Sequence, residues 1–190
     1  DGKRTLFANK LFAVTNLPGV EIIEYTDTDD CVGVLEKRIC SGRLVVDKEC
    51  PCRFALPLME RRPDVRLCLG SRAVDDARML KTNEEIALMR DSSRLNDLAI
   101  QKAMSAVRAG ATEKSVADAY ARAVVELGAA GERFPSLICF GPNCAEPHHD
   151  TENTALKPGD SVILDVGLKL NGYCSDMTRT VFYGEPCEEA

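Results

Sequence analysis

The sequence predicts an α+β fold in two parts: a small α/β region, then a helical layer lying on an antiparallel sheet. Three observations carry this. The first seventy residues alternate short apolar runs with helix-compatible segments. Two amphipathic helical stripes then follow one another with only a short joint. Beyond Gly131 the apolar period changes to two, and Asn171-Gly172 joins two long strand-like runs.

In the first part, residues 5–8, 21–25, 43–47 and 65–69 read as strands, with helices at 30–39 and 53–60. The charged run Glu60-Arg61-Arg62-Pro63-Asp64 reads as a solvated helix end. Residues 70–81 are polar, and the domain boundary is set within them, giving domains 1–74 and 75–190. Thr82 followed three residues later by Glu85 forms a capping box. Leu88, Leu95, Ala99, Ala103 and Ala106 then share one helical stripe, with Gly110 as its stop. Thr112 caps the next helix, whose stripe is Val116, Tyr120, Val124 and Leu127 and whose end is Gly128. Residues 136–140 form a strand that Gly141-Pro142-Asn143 breaks. Strands 161–170 and 173–183 complete the chain.

Composition narrows the function. The chain has 190 residues, 45% of them hydrophobic and 28% charged, as in ordinary globular proteins. A net charge of -6 and the lack of a basic cluster speak against a nucleic-acid partner. No apolar run approaches the roughly 20 residues of a membrane helix, so no membrane partner is expected. No signal-peptide pattern opens the sequence, although the start at Asp1 leaves room for a removed segment. The nine cysteines are an odd number without framework spacing, which reads as reduced thiols in a cytoplasmic protein, several of them small core residues. Cys40, Cys50 and Cys52 are the closest group, and a zinc site there is the weaker alternative.

The hairpin supplies the chemistry. With Asn171-Gly172 as a two-residue loop, Leu170 faces Tyr173, Gly167 faces Asp176 and Asp165 faces Thr178. Asp165 and Asp176 then lie on one face as diagonal neighbours, about 7 Å apart or less. Two carboxylates facing a common space repel one another. Arg179 falls on the opposite face, so a divalent cation is the group that answers both charges. Two solvated aspartates on an open sheet are the alternative from geometry alone.

An ordered set of motifs extends this reading. It runs through Phe134-Pro135, Gly141-Pro142-Asn143, Pro147-His148 and Lys157-Pro158-Gly159-Asp160. It ends in Leu164-Asp165-Val166-Gly167 and Gly172-Tyr173-Cys174-Ser175-Asp176-Met177-Thr178-Arg179-Thr180. Residues 80–186 resemble the catalytic domain of the aminopeptidase P and prolidase family, the Xaa-Pro peptidases with the pita-bread fold. Residues 1–70 resemble the later portion of the α/β creatinase/prolidase-type domain that precedes it. The resemblance implies that Asp165 holds one metal and that Asp176 bridges two. It implies that His148 is a catalytic, substrate-contacting histidine near the scissile carbonyl, with His149 directly after it. It further implies two divalent metal ions, manganese first with cobalt or zinc as alternatives, a proline-containing peptide substrate and a family-like homodimer. In the family a histidine and two glutamates from the second half of the fold complete the site. His148 and His149 lie upstream of the aspartates, and Glu188 and Glu189 follow the hairpin too closely to serve. The expectation is therefore a fragment that is inactive alone. Two rivals remain: a creatinase-type amidinohydrolase, and a non-catalytic pita-bread module that binds peptides or proteins.

Overall fold

The computed structural model describes residues 2–15 and 17–186. The chain divides into two compact units, Asp1–Leu80 and Lys81–Ala190.

In the first unit, β1 (Arg4–Asn9) and β2 (Val20–Tyr25) pair in parallel. Helix α1 (Cys31–Glu36) follows, capped by the Asp30 side chain, which accepts from Gly33 N. Strand β3 (Gly42–Val46), helix α2 (Cys52–Arg61) and β4 (Val65–Leu69) form a second parallel pair with its crossover. The four strands and two helices read from the sequence are all present. Arg62 does more than end a solvated helix. It donates to Glu36 O and Ile39 O while pairing with Asp64, so it satisfies carbonyls at the end of α1.

Helix α3 (Ser71–Met79) occupies the stretch read as a polar boundary, and it spans position 74/75. Its Val74 and Met79 are exposed, and only Ser71 of the helix is buried.

The second unit begins with α4 (Asn83–Met104), and the Thr82–Glu85 capping box is formed in both directions. The helix ends at Ser105, ahead of the expected stop at Gly110, and Ser105 Oγ bonds back to Gln101 O. Helix α5 (Glu113–Glu126) starts at the Thr112 cap and terminates before Gly128, whose φ of 82° is the left-handed conformation of a helix end.

The strands that follow make two small sheets. One has the order β10 (Met177–Phe182), β7 (Ser161–Val166), β6 (Leu137–Phe140), all antiparallel. The other is β5 (Gly131–Glu132), β8 (Leu168–Leu170), β9 (Tyr173–Cys174). Each long hairpin strand expected from the sequence is thus cut in two. Gly167 lies at the cut, and a Cβ there would stand 2.6 Å from Ser175 O and 2.8 Å from the Phe134 ring. Only glycine permits that approach. The turn is as read: Asn171 and Gly172 have φ of 49° and 85°, the two positive values of a type I′ turn.

The core lies between the helices and the inner sheet face. Val162, Leu164 and Val166 of β7 are fully buried with Ile100, Val116 and Tyr120 of the helices. A polar tie crosses it: Tyr120 OH donates to Asn96 Oδ1 at 2.7 Å, and Asn96 Nδ2 reaches Val166 O at 3.3 Å. Both helices are thereby fixed to the strand that carries Asp165. No helix among the described residues is long and apolar enough to cross a membrane.

Candidate active site

Asp165 stands in β7 on the sheet face that turns away from the helices, and Asp176 lies between β9 and β10, where strand parity assigns it to that face. The register pairs Thr178 with Asp165 and Met177 with Val166. Nearer the turn it pairs Lys169 with Cys174 and Leu170 with Tyr173. Ser175 N also donates to Leu168 O at 3.0 Å. Asp176 therefore stands across from Gly167, one diagonal step from Asp165. Thr178 Oγ1 donates to Asp165 Oδ1 at 3.0 Å, placing both side chains on one side. Arg179 points the other way and pairs with Asp97 of α4 at 2.9 Å. Asp165 is half-buried and Asp176 is exposed.

A cleft of about 560 Å³ opens beside this face, lined by Phe134, Pro135, Leu137, His148, Thr151 and Asp165 among others. It brings the sequence-predicted His148 and Asp165 together, while Asp176 is outside its lining residues. His148 is exposed at the rim.

The loop carrying His148 is held from below. Glu113, in the first turn of α5, is fully buried, and its carboxylate receives four donors. Oε1 accepts from Phe140 N at 2.8 Å and Asn143 Nδ2 at 2.9 Å. Oε2 accepts from Glu152 N at 3.0 Å and meets His149 Nε2 at 3.3 Å. Asn143 sits in a 3₁₀ turn, Gly141–Ala145, that leads into the histidines. Thr151 ties the far end of the loop, donating to Ser136 O and accepting from Ile138 N, both at 2.8 Å.

His149 is only 10% exposed, with Nε2 on Glu113 and Nδ1 3.5 Å from Glu146 Oε2. Burial lowers its proton affinity, but the Glu113 hydrogen bond and the Glu113 and Glu146 charges outweigh this, and its pKa rises above 6.5. Both ring nitrogens face carboxylate oxygens, which only accept, so the imidazolium form suits the site.

The donor chemistry of Asp165 and Asp176 fits a hard divalent cation, since carboxylate oxygens are its preferred ligands. Among the described residues, no cluster of three or more His, Cys, Asp or Glu side chains could hold a metal. The same finding removes a zinc site at Cys40, Cys50 and Cys52, which are free thiols. Of the described cysteines only Cys139 is buried, with burial pushing its thiol pKa up to about 12. Glu188 and Glu189 lie outside the described residues.

Sequence reasoning missed Glu113, Asn143, His149 and Thr151 as parts of the site's support. The Gly-Pro-Asn motif drew attention to Asn143 as a strand breaker and as part of the family resemblance, without a role for its side chain. Glu113 gave no local signal, because a glutamate in the first turn of a helix ordinarily faces solvent and complements the helix dipole.

Comparisons with known proteins give the family and the fold. The model of metallopeptidase family M24 matches residues 87–190. An uncharacterized peptidase of Staphylococcus aureus is 28% identical over 205 aligned positions, covering 100% of this chain and 55% of its own length. The solved prolidase of Thermococcus sibiricus superimposes with a TM-score of 0.85 at 27% identity, covering 97% of this chain and 52% of its own. The Xaa-Pro dipeptidase of Bacillus anthracis gives 0.80 at 26% identity, with coverages of 90% and 49%. The chain thus spans about half the length of the relatives it matches.

Proposed function

The chain belongs to metallopeptidase family M24, and from that premise we propose that it forms part of an enzyme that hydrolyses Xaa-Pro peptide bonds. Its fold is that of the first half of a pita-bread catalytic domain with the latter part of an α/β domain before it. The observation that carries the proposal is the shared face of Asp165 and Asp176 beside a cleft that also holds His148. The prolidase and Xaa-Pro dipeptidase likenesses support proline-containing peptides as substrates, cleaved on the amino side of proline.

Asp165 and Asp176 would supply oxygen ligands to two divalent cations. Manganese is the first choice, with cobalt or zinc as alternatives. When bound, such a pair supplies Lewis acidity and a water that ionises near neutral pH. Thr178 orients the Asp165 carboxylate through its hydrogen bond. His148, on the cleft lining, would donate an imidazole N–H to the oxygen that gains charge on the scissile carbonyl. Phe134, Pro135 and Leu137 give the cleft an apolar side.

The retained aspartates favour this reading over a metal-free amidinohydrolase or a peptide-binding module. Two carboxylates cannot satisfy a dinuclear centre, so the 190-residue chain by itself is expected to be inactive and to bind manganese weakly. The nine cysteines, an odd number without framework spacing, support a reducing, cytoplasmic location.

The test is cleavage of a Xaa-Pro dipeptide by the whole protein with manganese. Asp176→Asn, of equal size, should lower kcat/KM by at least about a hundredfold, since even partners that merely orient metal ligands cost ten- to a hundredfold. Wild-type turnover by that variant would remove the metal assignment.

A further inference from the structure

We propose that Glu113 is a positioning residue of the site, holding the 141–152 loop so that the His148 imidazole stands at the cleft with Asp165. The proposal deepens the peptidase reading and rests on it for the role of His148.

Glu113 is fully buried and is not among the cleft-lining residues, so it touches no substrate. It acts through what it holds. Its four donors arrive from the strand end at Phe140, the 3₁₀ turn at Asn143, the segment beyond the histidines at Glu152, and His149 itself. These points bracket His148 on both sides. A carboxylate offers about four acceptor positions, and these donors fill them. Glutamine would place an NH₂ group against donors, and aspartate would be one methylene too short to reach all four.

The geometry also separates the two adjacent histidines. His149 has Glu113 on one ring nitrogen and Glu146 on the other, so it serves as a strut. Both histidines line the cleft, and His148 is the exposed one of the pair, with its ring left free of the Glu113 anchor. The start of α5 runs beside the same loop: Glu113 N donates to Thr154 O and Lys114 N to Glu152 O. The helix N-terminus therefore favours the buried negative charge as well as fixing its direction.

Glu113→Gln and, as a control one turn along the same buried face, Val116→Ala would be compared in the 190-residue chain. Amide hydrogen exchange across residues 140–152 and the NMR titration of both imidazoles would be followed. In Glu113→Gln, exchange at Phe140 and Glu152 should quicken about ten- to a hundredfold, as expected when a buried charge-assisted hydrogen bond is lost, while α4 keeps its protection. The His149 titration should move down toward ordinary imidazole. Val116→Ala should lower the Tm without either change. Should Glu113→Gln fail to fold, Asn143→Ala removes one donor from the loop side and must quicken loop exchange in the same direction.

Unchanged loop exchange and an unchanged His149 titration, or identical changes in Val116→Ala, would overturn the proposal. None of these readouts needs substrate. A loosened loop with no Xaa-Pro cleavage by the whole protein would therefore leave the positioning role standing and remove the peptidase reading instead.

Discussion

The two units handle their apolar residues in opposite ways. Of the buried hydrophobic residues, the first unit holds Ala8, Val32, Leu58 and Val65, and all the others lie beyond residue 98. Among the large hydrophobics left exposed the order reverses, with Leu11, Phe12, Val45, Leu56, Leu69 and Leu80 all in the first unit. Both units have regular strands and helices, so secondary structure does not explain the difference. The first unit makes two separate two-stranded parallel sheets, and such small sheets cover little surface. The second lays two helices across two three-stranded antiparallel sheets and closes a single core. Buried groups can hold a precise arrangement only where a core fixes their neighbours. That is why Glu113, Asn96 and the strand bearing Asp165 are found in the second unit.

The sharpest test of this contrast is a pair of truncations. Phe140→Ala removes a fully buried ring and should cost about 3–5 kcal/mol. Leu56→Ala removes a side chain that is 56% exposed, and should stay within about 0.5 kcal/mol. Urea unfolding followed separately in each unit by amide exchange would measure both. Equal losses would mean that the first unit has a core that its burial does not show.

A smaller effect is expected at the cut in the hairpin. Gly167→Ala places a methyl group against the Ser175 carbonyl and the Phe134 ring. Backbone cannot give way as a flexible side chain can, so a loss of about 1–3 kcal/mol is expected. Gly42→Ala, in the first unit, has open space around its new methyl but a φ of 108°, so its cost comes from backbone conformation alone. Thermal unfolding of the two variants distinguishes a packing constraint from a conformational one. A Gly167→Ala protein as stable as the parent would mean that the hairpin does not need its break.

These contrasts also explain what could be read from the sequence. The hairpin register was legible because Asn171-Gly172 admits a two-residue turn and side chains alternate strictly beyond it. Placing Asp165 and Asp176 on one face needed nothing more. The helices after Thr82 and Thr112 were legible from their caps and stripes. Helix α3 was not, since its nine residues are mostly polar and read as a boundary. The cut at Gly167 was hidden because the ring that demands it, Phe134, comes from a distant segment. Glu113 was hidden for the same kind of reason: burial belongs to the assembled fold, and nothing beside Glu113 in the chain announces Phe140, Asn143 or Glu152 as partners.

The smallest expected effect is in pH dependence, and it sets the units apart by direction. Both carry carboxylates held below their ordinary pKa by cationic partners, such as Asp30 by the Arg61 hydrogen bond and Glu126 by the Lys102 hydrogen bond. A depressed carboxylate contributes stability that is present above its unfolded pKa and lost as pH falls through the folded value. Both units should therefore weaken in acid. The two histidines of the chain, His148 and His149, are both in the second unit. His149 is raised above 6.5: burial works against its charge, and the Glu113 bond and the Glu113 and Glu146 charges prevail. A raised histidine contributes stability that is complete below its unfolded pKa and lost as pH rises through its folded value. The second unit should thus lose stability as pH rises above the ordinary imidazole range, while the first stays level across that rise. Amide exchange resolved by unit, repeated across it, would show a sloping second unit beside a flat first. His149→Gln, which keeps a donor toward Glu113 but does not titrate, should flatten the second unit's slope. A slope that survives in His149→Gln would place the titrating group elsewhere and break the link between the Glu113 strut and the pH response.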